Sequence, residues 1–157
     1  MFKLNKMTDY AIVCICILSS KANKFVNAQE ISIESGISLS TVQKILKLIV
    51  SKSDLIIALR GANGGYKLTK KASEISIIDI IEMMDGPLSI TACVDGNHEK
   101  CDSRKKCFLE GNWNKINLMI RNTLHSYSIA DLMCSDPMSF LYNNKSSEDE
   151  FNIMELR

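Results

Sequence analysis

The 157-residue sequence has no apolar run that approaches the length needed to cross a membrane. The apolar stretch 11–18 is short for a secretory leader, follows Asp9, and has no small-residue cleavage site behind it. No leader is expected, and the chain is placed in the cytosol, where thiols stay reduced. Histidine occurs twice, at His98 and His125. No nucleophile–base motif is visible, and no glycine-rich phosphate loop opens a helix. An enzyme is therefore not expected. No C-x2-C pair of the kind typical of structural zinc is present. Internal repeats are absent too. The apolar fraction of 46% is ordinary for a globular protein, so a real core is available.

Net charge is also nearly lacking, at +1, but that value hides an asymmetry. Residues 1–71 carry 11 Lys/Arg against 4 Asp/Glu, a balance of +7, and residues 72–157 carry 8 against 14, a balance of −6. A basic first half on a near-neutral chain points to a polyanion partner confined to that half. A merely solvated basic face would show the same charge count.

Helical and strand signals follow in a definite order. Thr8 is read as the cap of a first helix whose apolar face is Ala11, Ile12, Ile15 and Leu18. Asn27 with Glu30 resembles a capping box opening a short helix through Ser35, and Gly36 allows the turn after it. Ser38 or Ser40 caps a third helix with Val42, Ile45, Leu46 and Ile49 as its buried stripe. Strands are expected at 56–60 and 66–69, joined by Gly61-Ala62-Asn63-Gly64-Gly65, whose residues accept positive φ. Ser76 with Asp79 opens another short helix that Gly86-Pro87 breaks. A cysteine-bearing loop spans about 91–107. A longer helix is expected over 104–125, with Leu109, Trp113, Ile116, Ile120 and Leu124 on one side. Ser128 and Asp131 begin a last turn, and the polar, acidic tail reads as disordered.

Short helix, turn, second helix and two-stranded hairpin is the order of a winged helix-turn-helix. The fold class expected is mainly α with a small two-stranded β wing, a winged helix-turn-helix followed by a long helix. The division is 1–86 for the DNA-binding domain, 87–134 for the cysteine loop and long helix, and 135–157 for the tail. A reading helix needs one apolar face for the core and a polar face for the major groove. Ser40, Thr41, Gln43, Lys44 and Lys47 supply that polar face. Hydroxyls and amides can bond base edges, while lysines pair with phosphate or guanine. The hairpin tip offers Arg60, Gly61, Asn63, Gly64, Gly65 and Tyr66, slim enough for close approach to a narrow groove. A helical hairpin with a surface ribbon used for protein contacts would carry the same pattern.

Cys93, Cys101 and Cys107 lie within fifteen positions, while Cys14 and Cys16 sit in an apolar stretch and Cys134 stands alone. Three thiolates in a flexible polar loop can wrap an iron–sulfur cluster, 2Fe–2S or 4Fe–4S, which takes four protein ligands when fully protein-coordinated. Unligated redox thiols, zinc, or small buried residues remain the other readings of this cluster.

Lys6-Met7-Thr8-Asp9-Tyr10-Ala11, the wing 60–68 and the three clustered cysteines together resemble the IscR/NsrR branch of the Rrf2 transcriptional regulators. The run 111–117 with Ile129-Ala130-Asp131-Leu132 is similar to regulators of the SUF iron–sulfur assembly system. The resemblance covers about residues 1–134. It implies a homodimer packed through the long helix, each subunit reading half of an imperfect palindrome in double-stranded DNA. It implies an iron–sulfur cofactor on Cys93, Cys101 and Cys107. Some members add a histidine three residues after the last cysteine, where this sequence has Glu110. Others add an aspartate of the partner's first helix, which corresponds to Asp9. Asp9 is preferred as fourth ligand over Glu110 and His98. It also has an ordinary role as a first-turn acid favourable to the helix dipole. The expected function is cluster-dependent regulation of iron–sulfur assembly genes, with RNA polymerase as a further partner and no membrane. A nitric-oxide or redox-sensing repressor built from the same parts is the alternative. A metal-binding scaffold that does not bind DNA is the more distant one.

Overall fold

The computed structural model describes residues 4–21, 24–61, 63–91, 94, 107, 109 and 112–134. Within them the order is α1 (Lys6–Ser20), α2 (Ala28–Ser35), α3 (Leu39–Lys52), β1 (Ile56–Leu59), β2 (Gly65–Leu68), a 3₁₀ turn (Ala72–Glu74), α4 (Ile77–Asp85), α5 (Asn112–His125) and α6 (Ile129–Met133). This is the mainly helical, winged architecture expected from the sequence.

Helix α1 starts a turn earlier than its polar residues suggest. Asn5 is extended at φ −62° and ψ 140°, and its side chain accepts from the Met7 amide. The Asn5 carbonyl receives the Thr8 and Asp9 amides at 3.0 Å each. Thr8 is therefore not the cap. It is fully buried, and its hydroxyl donates 2.7 Å to Asp85 at the end of α4.

The helix-turn-helix follows the sequence closely. Asn27 caps α2 by accepting from the Glu30 amide at 2.8 Å, and Gly36 ends it in the left-handed region at φ 71°. Serines stitch the turn: Ser32 donates to the Ile37 carbonyl at 2.6 Å, and Ser35 accepts the Ile37 amide at 3.1 Å. Ser38 occupies the cap position of α3 but makes no capping bond. Its hydroxyl pairs instead with that of Thr41 at 2.8 Å.

Val42, Ile45, Leu46 and Ile49 of α3 are completely buried. They meet Ala11, Cys14, Ile15 and Leu18 of α1, together with Ile80 and Met84 of α4. The wing strands are antiparallel, running from Ile56↔Leu68 to Leu59↔Gly65. Each is offset slightly from the expected spans, because the turn begins at Arg60 and Gly65 already pairs. Val26 ties the wing to the base of α2, exchanging backbone bonds of 2.9 and 2.8 Å with Tyr66.

A second apolar cluster joins α4 to α5. Ile77, Ile78, Ile81 and Leu88 pack with Ile12, Ile120, Leu124 and Tyr127. The expected single apolar stripe of α5 is split. Ile120 and Leu124 face α4, whereas Leu109 is 38% exposed and Ile116 42%. The cause is Asn117, which is buried at the centre of the contact face and bonds the chain segment after α4. The start expected for this helix is about 104, but the described Cys107 and Leu109 are not helical and α5 begins at Asn112; the other residues of 104–111, like the tail from 135, lie outside the described residues. After α5 the backbone returns to the first core: the Ile129 amide bonds the Ile75 carbonyl at 2.9 Å, and Ile129 is fully buried there.

Candidate nucleic-acid interface

With its apolar stripe docked on α1, α3 presents Ser40, Gln43, Lys44 and Lys47 to solvent, and Thr41 is half-buried. Strand pairing turns the hairpin alongside it. Between the two lies an open groove of about 500 Å³, lined by Gln43, Lys47, Val50, Leu59, Arg60 and Tyr66 among others. The structure thus brings Gln43 and Lys47 of α3 together with Arg60, Gly64, Gly65 and Tyr66 of the wing. Ser40, Thr41 and Lys44 are not part of this lining. Gly61 and Asn63 sit at the exposed tip.

Six lining residues were not among the expected contacts, Asn27, Ala28, Val50, Ser51, Ala58 and Leu59, and two of them are large, apolar and exposed. Val50 is 39% exposed and Leu59 51%. A polarity-based search passes over both. Position 50 is nonetheless seven residues from Gln43 and so on the same helical face. Apolar side chains on such a surface can meet a thymine methyl.

The cations of this face are unneutralised. Among the described residues, Lys44, Lys47 and Arg60 make no ion pair. Lys21, by contrast, reaches Glu34 at 3.4 Å and Glu30 at 4.0 Å, and Lys70 reaches Asp54 at 3.9 Å. A concave surface with free positive charge attracts a polyanion.

The wing glycines have different reasons. Gly61 alone of the hairpin glycines takes positive φ, at 114°. Gly65 is required by close approach: a methyl there would lie 2.5 Å from the Val26 carbonyl oxygen. Gly64 is closed in the same way by the backbone of Leu59, Arg60 and Gly61.

The cysteine constellation is seen in part. Cys93, Cys101, His98 and Glu110 lie outside the described residues. Cys107 is half-buried and unbridged, and Asp9 is exposed on the first turn of α1 with no ion pair among the described residues. The Thr8–Asp85 bond sets that turn against the end of α4, from which the chain leads toward Cys93. Burial pushes the Cys14 thiol up to about 11 and raises that of Cys16, so both stay protonated and are poor ligands. Among the described residues no group of three metal-binding side chains converges. Three thiolates are the donor type that iron–sulfur clusters take, and of the expected ligands only Cys107 and Asp9 lie among the described residues.

Among the described residues no helix is long and apolar enough to cross a membrane. The family model Rrf2, described as an iron-dependent transcriptional regulator, matches residues 4–135. The transcriptional regulator NsrR of Oceanobacillus iheyensis is 30% identical over 131 residues, 83% of this chain and 88% of that protein. IscR of Aliivibrio salmonicida is 25% identical over 151 residues, covering 96% and 88%. In fold, the chain is similar to CymR, the global cysteine regulator of B. subtilis, with a TM-score of 0.65 at 22% identity, covering 84% of this chain and 96% of that one. It is similar as well to IscR of T. potens, with a TM-score of 0.62 at 21% identity, covering 94% and 91%.

Proposed function

The chain belongs to the Rrf2 family of transcriptional regulators, DNA-binding proteins rather than enzymes, and from that premise we propose that it is a homodimeric, cluster-controlled regulator of iron–sulfur assembly genes. The observation that carries the DNA-reading half is the groove in which Gln43, Lys47 and Arg60 meet with no acid among its described lining residues. Residues 1–86 form the reading domain, 87–134 the cysteine segment and dimer helix, and 135–157 an appended tail. Ser40, Thr41 and Gln43 bond base edges, and Lys44 and Lys47 bind phosphate. Arg60 enters the minor groove beside Gly61, Asn63, Gly64 and Gly65, with Tyr66 at the wing base. The exposed Ile116, Leu118 and Met119 of α5 supply apolar surface for a second copy. The target is an imperfect palindrome, the compartment is the cytoplasm, and RNA polymerase is a further partner at the promoter.

Cys93, Cys101 and Cys107, with Asp9 from the partner subunit, would hold the cluster. When bound, it supplies a centre sensitive to oxidation, nitric oxide and iron supply. Asp9 lies one residue from Thr8, so a ligand there pulls on the same turn that bonds Asp85. The likeness to NsrR supports a second reading with the same parts, in which nitric oxide or oxidants are the physiological signal.

The test is iron and acid-labile sulfide analysis of anaerobically purified protein, alone and with operator DNA. Cys93→Ala, Cys101→Ala and Cys107→Ala should each remove most of both elements, while Cys14→Ala, Cys16→Ala and Cys134→Ala keep them. Stoichiometric zinc without sulfide overturns the cofactor. Loss of the cluster from Glu110→Ala or His98→Ala, but not from Asp9→Ala, overturns the fourth ligand.

A further inference from the structure

Lys52 is the last residue of α3, and it behaves unlike the other lysines of that helix. Its ammonium donates 2.9 Å to the Met83 carbonyl and 3.3 Å to that of Met84. These carbonyls belong to the last turn of α4, where the helix provides no partner of its own. A cation there also meets the negative end of the helix dipole. Position 52 is seven residues from Ile45 and three from Ile49, so Lys52 lies on the core-facing side of α3 and, although exposed, reaches α4 from the helix end. Gln43, Lys47 and Val50 face the groove instead.

The turn that Lys52 grips is held from two other sides. Thr8 of α1 donates to Asp85, the final residue of α4. Glu82 receives two bonds from Arg121 of α5, at 2.8 and 2.9 Å, and the Leu88 amide at 3.5 Å. Beyond Gly86, the buried Asn117 of α5 donates to the Leu88 carbonyl at 2.8 Å and accepts the Ile90 amide at 3.2 Å. Thus the stretch 82–90 is bonded to α1, α3 and α5, and it runs directly toward Cys93. It connects the chain entering the cysteine segment to the end of the DNA-reading helix.

We infer that Lys52 is a positioning residue through which the state of the cysteine segment sets the placement of α3 on DNA. The inference rests on the cluster-controlled reading above and adds its route. While the segment is held, the last turn of α4 presents two carbonyls and fixes the final turn of α3. When the segment rearranges, that turn of α4 loosens, Lys52 loses its acceptors, and the end of α3 is released. Groove contacts made by Gln43 and Lys47 then lose their register with the wing. This is a bistable element biased from one side and read from the other.

The experiment compares cluster-loaded and cluster-free forms of the wild type, Lys52→Met and Lys52→Arg on operator DNA at several salt concentrations. Absorption spectra and thermal melts check loading and folding. The wild-type forms should differ in affinity by about 5–150-fold, the usual span of such coupling. Lys52→Met should keep its cluster and its fold yet bring the two forms to within about twofold of each other, well below that span. Lys52→Arg, able to reach the same carbonyls, should restore most of the difference. Amide hydrogen exchange of the wild type without DNA is an independent readout: removing the cluster should speed exchange over residues 49–53. A wild-type difference that survives in Lys52→Met overturns the route and leaves the cluster-controlled reading standing. Equal weakening of both forms with a lower salt slope makes Lys52 a phosphate contact and overturns it as well. Unchanged exchange over 49–53 also overturns it. A wild type whose two forms bind alike overturns the reading itself, and the route with it.

Discussion

In the groove between α3 and the wing, Lys47 and Arg60 have no ion pair among the described residues. At the junction that closes α4, Lys52 and Arg121 are both committed, one to two carbonyls and the other to Glu82. The residue types are shared and the settings are opposite. A free cation on a concave face is available to a polyanion. A cation bonded to a helix end or a carboxylate has exchanged its hydration for a fixed partner and holds two elements together. What separates the two regions is where the neighbouring elements end, because five residues along one helix move a lysine from the groove to the end of α4.

The largest effect should come from the part the two regions share. Ile45 is fully buried beneath both of them. Ile45→Ala should cost about 2–5 kcal/mol in urea unfolding, the range for such core truncations. Groove and junction should then fail together. If operator binding were lost with stability intact, Ile45 would be acting on the DNA face rather than on the core.

A smaller effect should sharpen the contrast within the groove. Gln43→Ala should lose about 1–3 kcal/mol of discrimination at one base pair, with little change in salt dependence. Lys47→Ala should weaken all sequences alike and lower the salt slope by about one. Arg60→Ala should weaken binding broadly, since groove width is read more than base identity. Titrations on the operator and its single-base variants separate these outcomes. Unchanged affinity in all three variants would remove this helix and hairpin from DNA.

The smallest effect belongs to the junction. The Arg121 guanidinium bonded to Glu82 holds its carboxyl below the usual carboxylate range. A folded-state value below the unfolded one stabilises at pH above about 4.5 and loses that contribution as pH falls through the folded value. Because Arg121 is partly exposed, the contribution should stay below about 1 kcal/mol. Stability of Glu82→Gln measured from pH 7 to pH 3 should lack this part of the acid slope. A slope identical to the wild type's would show that the pair is screened out in solution.

Much of the reading domain was legible from local signals. Asn27, Ser76 and Ser128 cap the helices that follow them, as their spacing to Glu30, Asp79 and Asp131 indicates. The stripe of Val42, Ile45, Leu46 and Ile49 announced the buried side of α3, and so by subtraction its exposed side. The hairpin glycines announced a tight wing, but for a partly mistaken reason. Conformational freedom is needed at Gly61, whereas Gly64 and Gly65 are held to glycine by backbone packed against them. At Gly65 that packing joins residues far apart in the chain and leaves no periodic trace, whereas at Gly64 it is made within the hairpin turn.

The sequence by itself determined which segments are helical, which face of α3 is buried, and that positive charge gathers in the first half. Each of these depends on spacing along one element or on composition, so chain order is enough to carry it. The tertiary structure decided the partners. Thr8 looks like a helix cap and became a buried donor to Asp85, because Asn5 had already started the helix. Asn117 looks like a surface residue of α5 and became the clamp on Leu88 and Ile90. Lys47 and Lys52 look alike, and the carbonyls at the end of α4 separate them. A hydrogen bond between elements depends on where two chain segments meet in space, and that is settled when the apolar stripes of α1, α3, α4 and α5 dock on one another.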